Sequence, residues 1–201
     1  MASVRLSKGE RKTQIVEVTL QLIAAHGVQG TSTKRIATAA GVSEATLYKH
    51  FASRNEIFLA ALDAVYWQVF EIIDSSSGAD APARLRDIAA GHLRRLSSQN
   101  AGFVFPLFEF VAAPPEAGLR EPLGARQRQA AEAIAAIVRG GKDEGSVGDG
   151  VDPEQAAWCL VGVFWMRDVA YLMGLGDDVW QGSTALLETV LGSILPQSPE
   201  A

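Results

Sequence analysis

One cysteine, Cys159, stands among the 201 residues, so neither an internal disulfide framework nor a cysteine-based zinc cluster is available, and a lone thiol fits a reducing compartment. Long apolar runs are missing as well. The longest near-unbroken one, Ala156 to Met166, stops at Arg167 and Asp168, short of the roughly 18 residues that a bilayer-spanning helix needs. The start, Met1 to Lys8, turns polar and charged at once and holds no stretch of signal-peptide length. The expected location is therefore the cytoplasm, with no membrane partner. Sustained strand alternation, internal repeats and low-complexity tracts are absent. Catalytic signatures are absent too: there is no Gly-x-Ser-x-Gly elbow, no His-Glu-x-x-His pair and no phosphate-cradling glycine loop with its lysine. Gly145 to Gly150 lacks the spaced acids of a calcium loop and reads as a flexible turn. No enzyme activity, cofactor or metal site is expected.

What is present is apolar residue in quantity, 48% against 20% charged, too rich for a disordered chain and enough for a buried core. The net charge of −5 hides an asymmetry. Residues 1–55 hold eight Lys and Arg against three acids, a balance of +5, whereas the remainder holds 10 against 20 and stands at −10. A small basic head on an acidic body suits a polyanion touched at one end; chance clustering on a solvated surface is the alternative.

Helix signals run the length of the chain. Ser7-Lys8-Gly9-Glu10 is a capping box, after which Ile15, Val18, Leu22 and Ile23 recur at helical spacing until His26-Gly27 supplies a stop. Thr31 or Ser32 can cap a short helix with Ile36, Ala37 and Ala40 on one side, closed by Gly41. Ser43 can cap the next, Glu44 to His50, which turns Leu47 and Phe51 inward. Ser53-Arg54-Asn55-Glu56 is a second capping box, opening a helix that lasts until Ser75-Ser76-Ser77-Gly78. Further helices are predicted near 82–98, 101–112, 116–144, 153–175 and 178–195. The predicted fold is all-α, about nine helices, with a helix-turn-helix head over residues 1–55 and a larger helical body over 56–201.

Residues 31–54 carry the chemistry. A helix-turn-helix lays its second helix in the major groove while the first braces it, which demands small residues and a tight turn between them; Ala37 and Gly41 meet that demand. On the second helix Thr46, Tyr48, Lys49 and His50 can face outward as hydrogen-bond donors, a set suited to phosphates and base edges. Taken singly, Tyr48 and His50 read equally as ordinary surface side chains. Arg54, at a helix start, is placed near an anion held by the free amides.

The string Thr31 to Ala37, then Ala40-Gly41-Val42-Ser43-Glu44-Ala45-Thr46-Leu47-Tyr48-Lys49-His50-Phe51, then Ser53 to Glu56, resembles the DNA-binding head of the TetR family of transcriptional regulators. The resemblance covers roughly residues 10–60. It implies a homodimer on a palindromic double-stranded operator, repression by default, and release when a small-molecule effector enters the body. It implies backbone contacts at Thr33 and Lys34, base edges at Glu44, Ala45, Thr46 and Lys49, and phosphates at Tyr48, His50 and Arg54, with the capping Ser43 counted in the same interface. Ala45 stands where many members carry glycine, and its methyl can touch a thymine. Glu44 either accepts from a cytosine amine, excludes wrong sequences, or serves the helix dipole.

In the body, Val151 to Ala157 and the apolar helix after it resemble the AefR-like subgroup, which fixes no ligand. Aromatic residues gather on predicted inner faces: Trp67, Phe70, Phe103, Phe105, Phe108, Trp158, Phe164, Trp165 and Tyr171. Trp67, Phe70, Phe103, Phe108, Trp165 and Tyr171, with His92 and Arg167, form the candidate effector site, against the plainer reading of core. Arg167, Asp168 and His92 are open as pocket groups, dimer contacts or paired surface charges, the last favoured. The 153–175 helix is apolar on almost every side and is expected to be covered on both faces. The stripe of the last helix reads either as intramolecular core or, together with this helix, as a dimer seam at Trp158, Leu186, Leu187, Val190, Leu191 and Ile194. The competing class is a helical protein-interaction module with no DNA role, for which Tyr48, Lys49 and His50 would be dispensable and salt nearly irrelevant.

Overall fold

Nine α-helices and no strand occur in the residues that the computed structural model describes, 6–97, 104–175 and 177–194. They are α1 (Lys8–Gly30), α2 (Thr33–Ala39), α3 (Glu44–Leu47), α4 (Arg54–Asp74), α5 (Ala81–Ser97), α6 (Val104–Ala112), α7 (Arg120–Asp143), α8 (Pro153–Leu172) and α9 (Asp177–Ile194), with a 3₁₀ turn at Pro115–Ala117. Among the described residues no helix is long and apolar enough to cross a membrane. The chain forms two compact units. The first takes α1 to α3, α4 as far as Gln68, α6 and the start of α7; the second takes the end of α4, α5, the rest of α7, α8 and α9.

The first unit starts as the sequence predicts. Ser7 Oγ accepts from the Glu10 N–H at 3.2 Å while the Glu10 carboxylate accepts from the Ser7 N–H at 2.7 Å, satisfying two amides that the helix start leaves open. Those bonds from Ser7 hold the Glu10 carboxyl below its ordinary range. Helical geometry breaks at Gly27, whose φ of 70° is the left-handed region, and one more turn carries the chain to Gly30. A Cβ at Gly27 would also lie 2.7 Å from Glu109 Oε2 on α6, the movable end of a flexible side chain, so it is the conformation that calls for glycine. α1 buries Ile15, Thr19, Ile23 and Val28, and α6 packs on it through a face that buries Val104, Pro106, Leu107 and Phe110.

In the second unit α8 packs against α5 and α9. Asp152 caps α8, its Oδ1 accepting from the Gln155 N–H at 2.8 Å, with Pro153 at the first helical position where a missing N–H costs nothing. Ala156, Ala157, Leu160, Val161, Val163 and Ala170 are buried. The expected cover on both faces of α8 is absent from the single chain: Trp158 is 48% exposed and Met173 67%, with Met166 and Val169 exposed between them. An all-round apolar helix carries no period that tells its core side from its open side. On α9, Leu187 and Leu191 are core rather than seam, Val190 is half-buried and Leu186 is exposed; the Ile194 side chain lies outside the described residues. His92, Arg167 and Asp168, expected as paired charges at the surface, are all buried. The His92–Asp168 contact across two helices offsets the burial of those two side chains, and pairing of this kind leaves no mark in local sequence.

Candidate nucleic-acid interface

Short polar side chains set the ends of both helices of the motif. Ser32 Oγ accepts from the Arg35 N–H at 3.2 Å to start α2, and Ser43 Oγ accepts from the Thr46 N–H at 3.1 Å to start α3. Between them Gly41 adopts a φ of 65°, and the turn closes as the Val42 N–H donates to the Ala37 carbonyl at 2.9 Å. Ile36, Ala37, Ala40, Leu47 and Phe51 are buried where α2 packs on α1 and α3. Leu47 is 0% exposed, and the Lys12 ammonium lies 5.1 Å from the Phe51 ring centroid.

The second helix is shorter than predicted. It is α-helical over Glu44–Leu47, after which Lys49 and His50 donate to carbonyls three residues back, Thr46 at 3.1 Å and Leu47 at 3.0 Å. Helix ends commonly tighten in this way. Lys34, Ser43, Glu44, Ala45, Tyr48 and Lys49 are exposed, Tyr48 at 49%, while Thr33, Thr46 and His50 are half-buried. Thr33 Oγ1 donates to Glu44 Oε2 at 2.8 Å, and Ser43 Oγ lies 3.0 Å from Thr46 Oγ1. His50 Nδ1 is buried without a hydrogen-bond partner, which leaves Nε2 as the ring nitrogen for any outside contact.

Arg54 is engaged elsewhere than expected. Its Nε donates to the Thr31 carbonyl at 2.9 Å, its Nη2 to the Val28 carbonyl at 2.6 Å, and its guanidinium carbon lies 4.6 Å from the Phe58 ring centroid. Arg35 Nη1 likewise donates to the Gly30 carbonyl at 2.8 Å. Sequence reasoning missed both braces. The available signal was the break at Gly27, since a helix end leaves carbonyls that nearby cations can satisfy. The second capping box is also displaced: Ser53 Oγ accepts from the Glu56 N–H at 3.1 Å, but the Glu56 carboxylate accepts from Ala52, one residue early.

The candidate effector residues are divided. Trp67 and Phe108 belong to the first unit, and Trp67 is 63% exposed rather than inward; Phe105 on α6 is exposed as well. Phe70, His92, Trp165, Arg167 and Tyr171 belong to the second unit, and Phe103 lies outside the described residues. Within the second unit His92 Nε2 is 2.9 Å from Asp168 Oδ1, and the His92 ring stacks on Phe164 with centroids 5.0 Å apart. Burial lowers the Arg167 pKa while the Asp168 charge opposes that shift. A cleft of about 450 Å³ lined by Glu71, Ile72, Ser75, Asp87, Gly91, Arg94 and Arg95 is polar and includes none of the candidate residues.

Residues 15–61 match the family described as bacterial regulatory proteins, tetR family. A nucleoid occlusion factor SlmA from Haemophilus ducreyi is 35% identical over 68 residues, 33% of this chain and 34% of that protein. The HTH-type transcriptional repressor KstR2 of Rhodococcus jostii is 34% identical over 82 residues, 39% of either chain. The chain thus spans little more than a third of the length of these curated relatives. A crystal structure described as a TetR-family transcriptional regulator from Rhodococcus sp. superposes with a TM-score of 0.79 at 22% identity, covering 90% of this chain and 99% of that one.

Proposed function

We propose that the chain is a TetR-family transcription regulator, a reading supported by the family match at residues 15–61 and by the shared fold along the chain, and that it grips a palindromic duplex as a homodimer and represses until a small molecule loosens it. The family is one of regulators and not of enzymes. The observation that carries the reading is the donor-rich end of α3: Tyr48 and Lys49 stand exposed beside Thr46, and buried Leu47 and Phe51 fix them in place. Lys34 extends the same chemistry at the start of α2. Ammonium and hydroxyl groups on a rigid support are what phosphates and major-groove base edges require. His50 adds Nε2, whereas Arg54 braces the end of α1 through the Val28 and Thr31 carbonyls.

Dimerisation is supported by the exposed apolar side chains of α8, Trp158, Met166, Val169 and Met173, with Leu186 on α9. They recur at about helical spacing, and a second copy related by a twofold axis would cover them. Effector binding is supported by half-buried Phe70, Trp165 and Tyr171 in the same unit as buried His92 and Arg167, aromatic walls with few polar groups being the usual form of a small-molecule site. Such a regulator works in the cytoplasm, where its DNA is.

Selection of bound duplexes from a random pool by the full chain tests the reading. Enrichment of an inverted repeat, its half-sites about 34–36 Å or a multiple apart in a footprint, is the expected result. A pool that shows no enrichment refutes it.

A further inference from the structure

The Thr33–Glu44 hydrogen bond places a carboxylate in the middle of the surface proposed to meet DNA. Thr33 is the first residue of α2 and Glu44 the first of α3, so the bond at 2.8 Å ties together the starts of the two helices of the motif. Its partner there is a neutral hydroxyl, and Glu44 is exposed between Ser43 and Ala45.

We infer that Glu44 is a specificity-determining residue, a gate that Thr33 latches in the absence of DNA and that opens only onto a base edge offering an exocyclic amine. The inference rests on the duplex-binding reading above and deepens it. An ionised carboxylate accepts hydrogen bonds and donates none. Against phosphate it is repelled, and while it holds the Thr33 hydroxyl that hydroxyl is not available to a phosphate. Non-specific duplex therefore pays twice, in repulsion and in a missing donor. In the major groove the donors that can compensate a carboxylate are the amines of cytosine and adenine, with cytosine the usual partner of an acid. Where one is present, Glu44 turns to it and Thr33 is released to donate to the backbone. One residue thereby converts a sequence match into an additional phosphate contact.

The test uses the full chain, the duplex obtained by selection, the same duplex with the amine-bearing base replaced at each half-site position in turn, and a scrambled duplex of equal length. Glu44→Gln keeps an acceptor for Thr33, removes the charge and adds an amide donor; Thr33→Val keeps the charge and removes the latch. Wild type is expected to lose about 5- to 150-fold in affinity when the matched base is replaced. Glu44→Gln is expected to lose most of that discrimination and to bind the scrambled duplex more tightly than wild type. Thr33→Val is expected to weaken the matched duplex, where the released hydroxyl would donate to the backbone, and to leave the scrambled duplex nearly unchanged, so that discrimination falls in part; unchanged unfolding midpoints exclude a folding defect. Wild-type binding with equal discrimination in Glu44→Gln overturns this inference alone. Absence of wild-type binding to any duplex overturns the reading beneath it and the inference together.

Discussion

Asp168 Oδ1 lies 2.9 Å from His92 Nε2 with both side chains buried, so a polar contact joins α8 to α5 inside the second unit. Asp168 also opposes the effect of burial on the charge of its neighbour Arg167. Removing one member of a buried polar pair leaves the others unsatisfied, which costs about 3–5 kcal/mol. Asp168→Ala is therefore expected to lower the unfolding free energy by that amount, read as a lower urea midpoint at an unchanged slope. A wild-type midpoint would show that the contact contributes nothing.

Arg54 distinguishes a brace from a phosphate contact. Its donors serve the Val28 and Thr31 carbonyls at the end of α1, and leaving such acceptors unsatisfied costs about 1–3 kcal/mol. Arg54→Met is expected to lower the stability of the head while leaving the salt dependence of duplex binding unchanged. Intact stability with a reduced salt slope would instead place Arg54 on the backbone of DNA.

The exposed side of α8 makes a prediction about assembly. Val169 is exposed in the single chain, so Val169→Glu should leave the fold intact and place charges against each other across a twofold seam. Sedimentation velocity is expected to show the variant at half the wild-type mass with a wild-type helical spectrum. A variant that still sediments as wild type would move the seam elsewhere.

Tyr66 sets an alkaline limit. Burial pushes its hydroxyl well above the ordinary value of 10.0, so the folded chain holds this proton where the unfolded chain releases it. Its contribution is fully present below the unfolded value and fades as pH rises through the folded one. Stability should decline above pH 10, and in Tyr66→Phe the decline should be shallower by as much as about 1.4 kcal/mol per pH unit. Urea titrations across that range would read the difference directly. Parallel declines in the two proteins would contradict it.

What could be read without coordinates was local. Ser7 with Glu10, Ser32, Ser43 and Gly41 act on backbone within four residues of themselves, and each was legible from residue type and spacing. The donors of Arg54 reach carbonyls 23 and 26 residues away, and His92 finds Asp168 across 76; no spacing rule contains such partners. Trp67 shows a different failure. An aromatic residue on a largely apolar helix was expected inward, yet the buried side of α4 runs through Ile57, Ala61, Leu62, Val65 and Tyr66 and leaves Trp67 out. The early end of α3 was hidden for a third reason, since Tyr48, Lys49 and His50 suit a helix as well as a tightened turn.

Duplex binding by the exposed start of α2 and end of α3 is tested most directly by fluorescence anisotropy of the selected duplex across a range of salt, with wild type, Lys34→Ala and Lys49→Ala side by side. Wild-type log K should fall linearly with log salt, Lys34→Ala should flatten that slope by about 0.9, and Lys49→Ala should weaken the selected duplex more than a scrambled one. Both lysines are exposed, so unfolding midpoints should not move. Folded variants that bind with wild-type affinity, slope and selectivity would contradict the account.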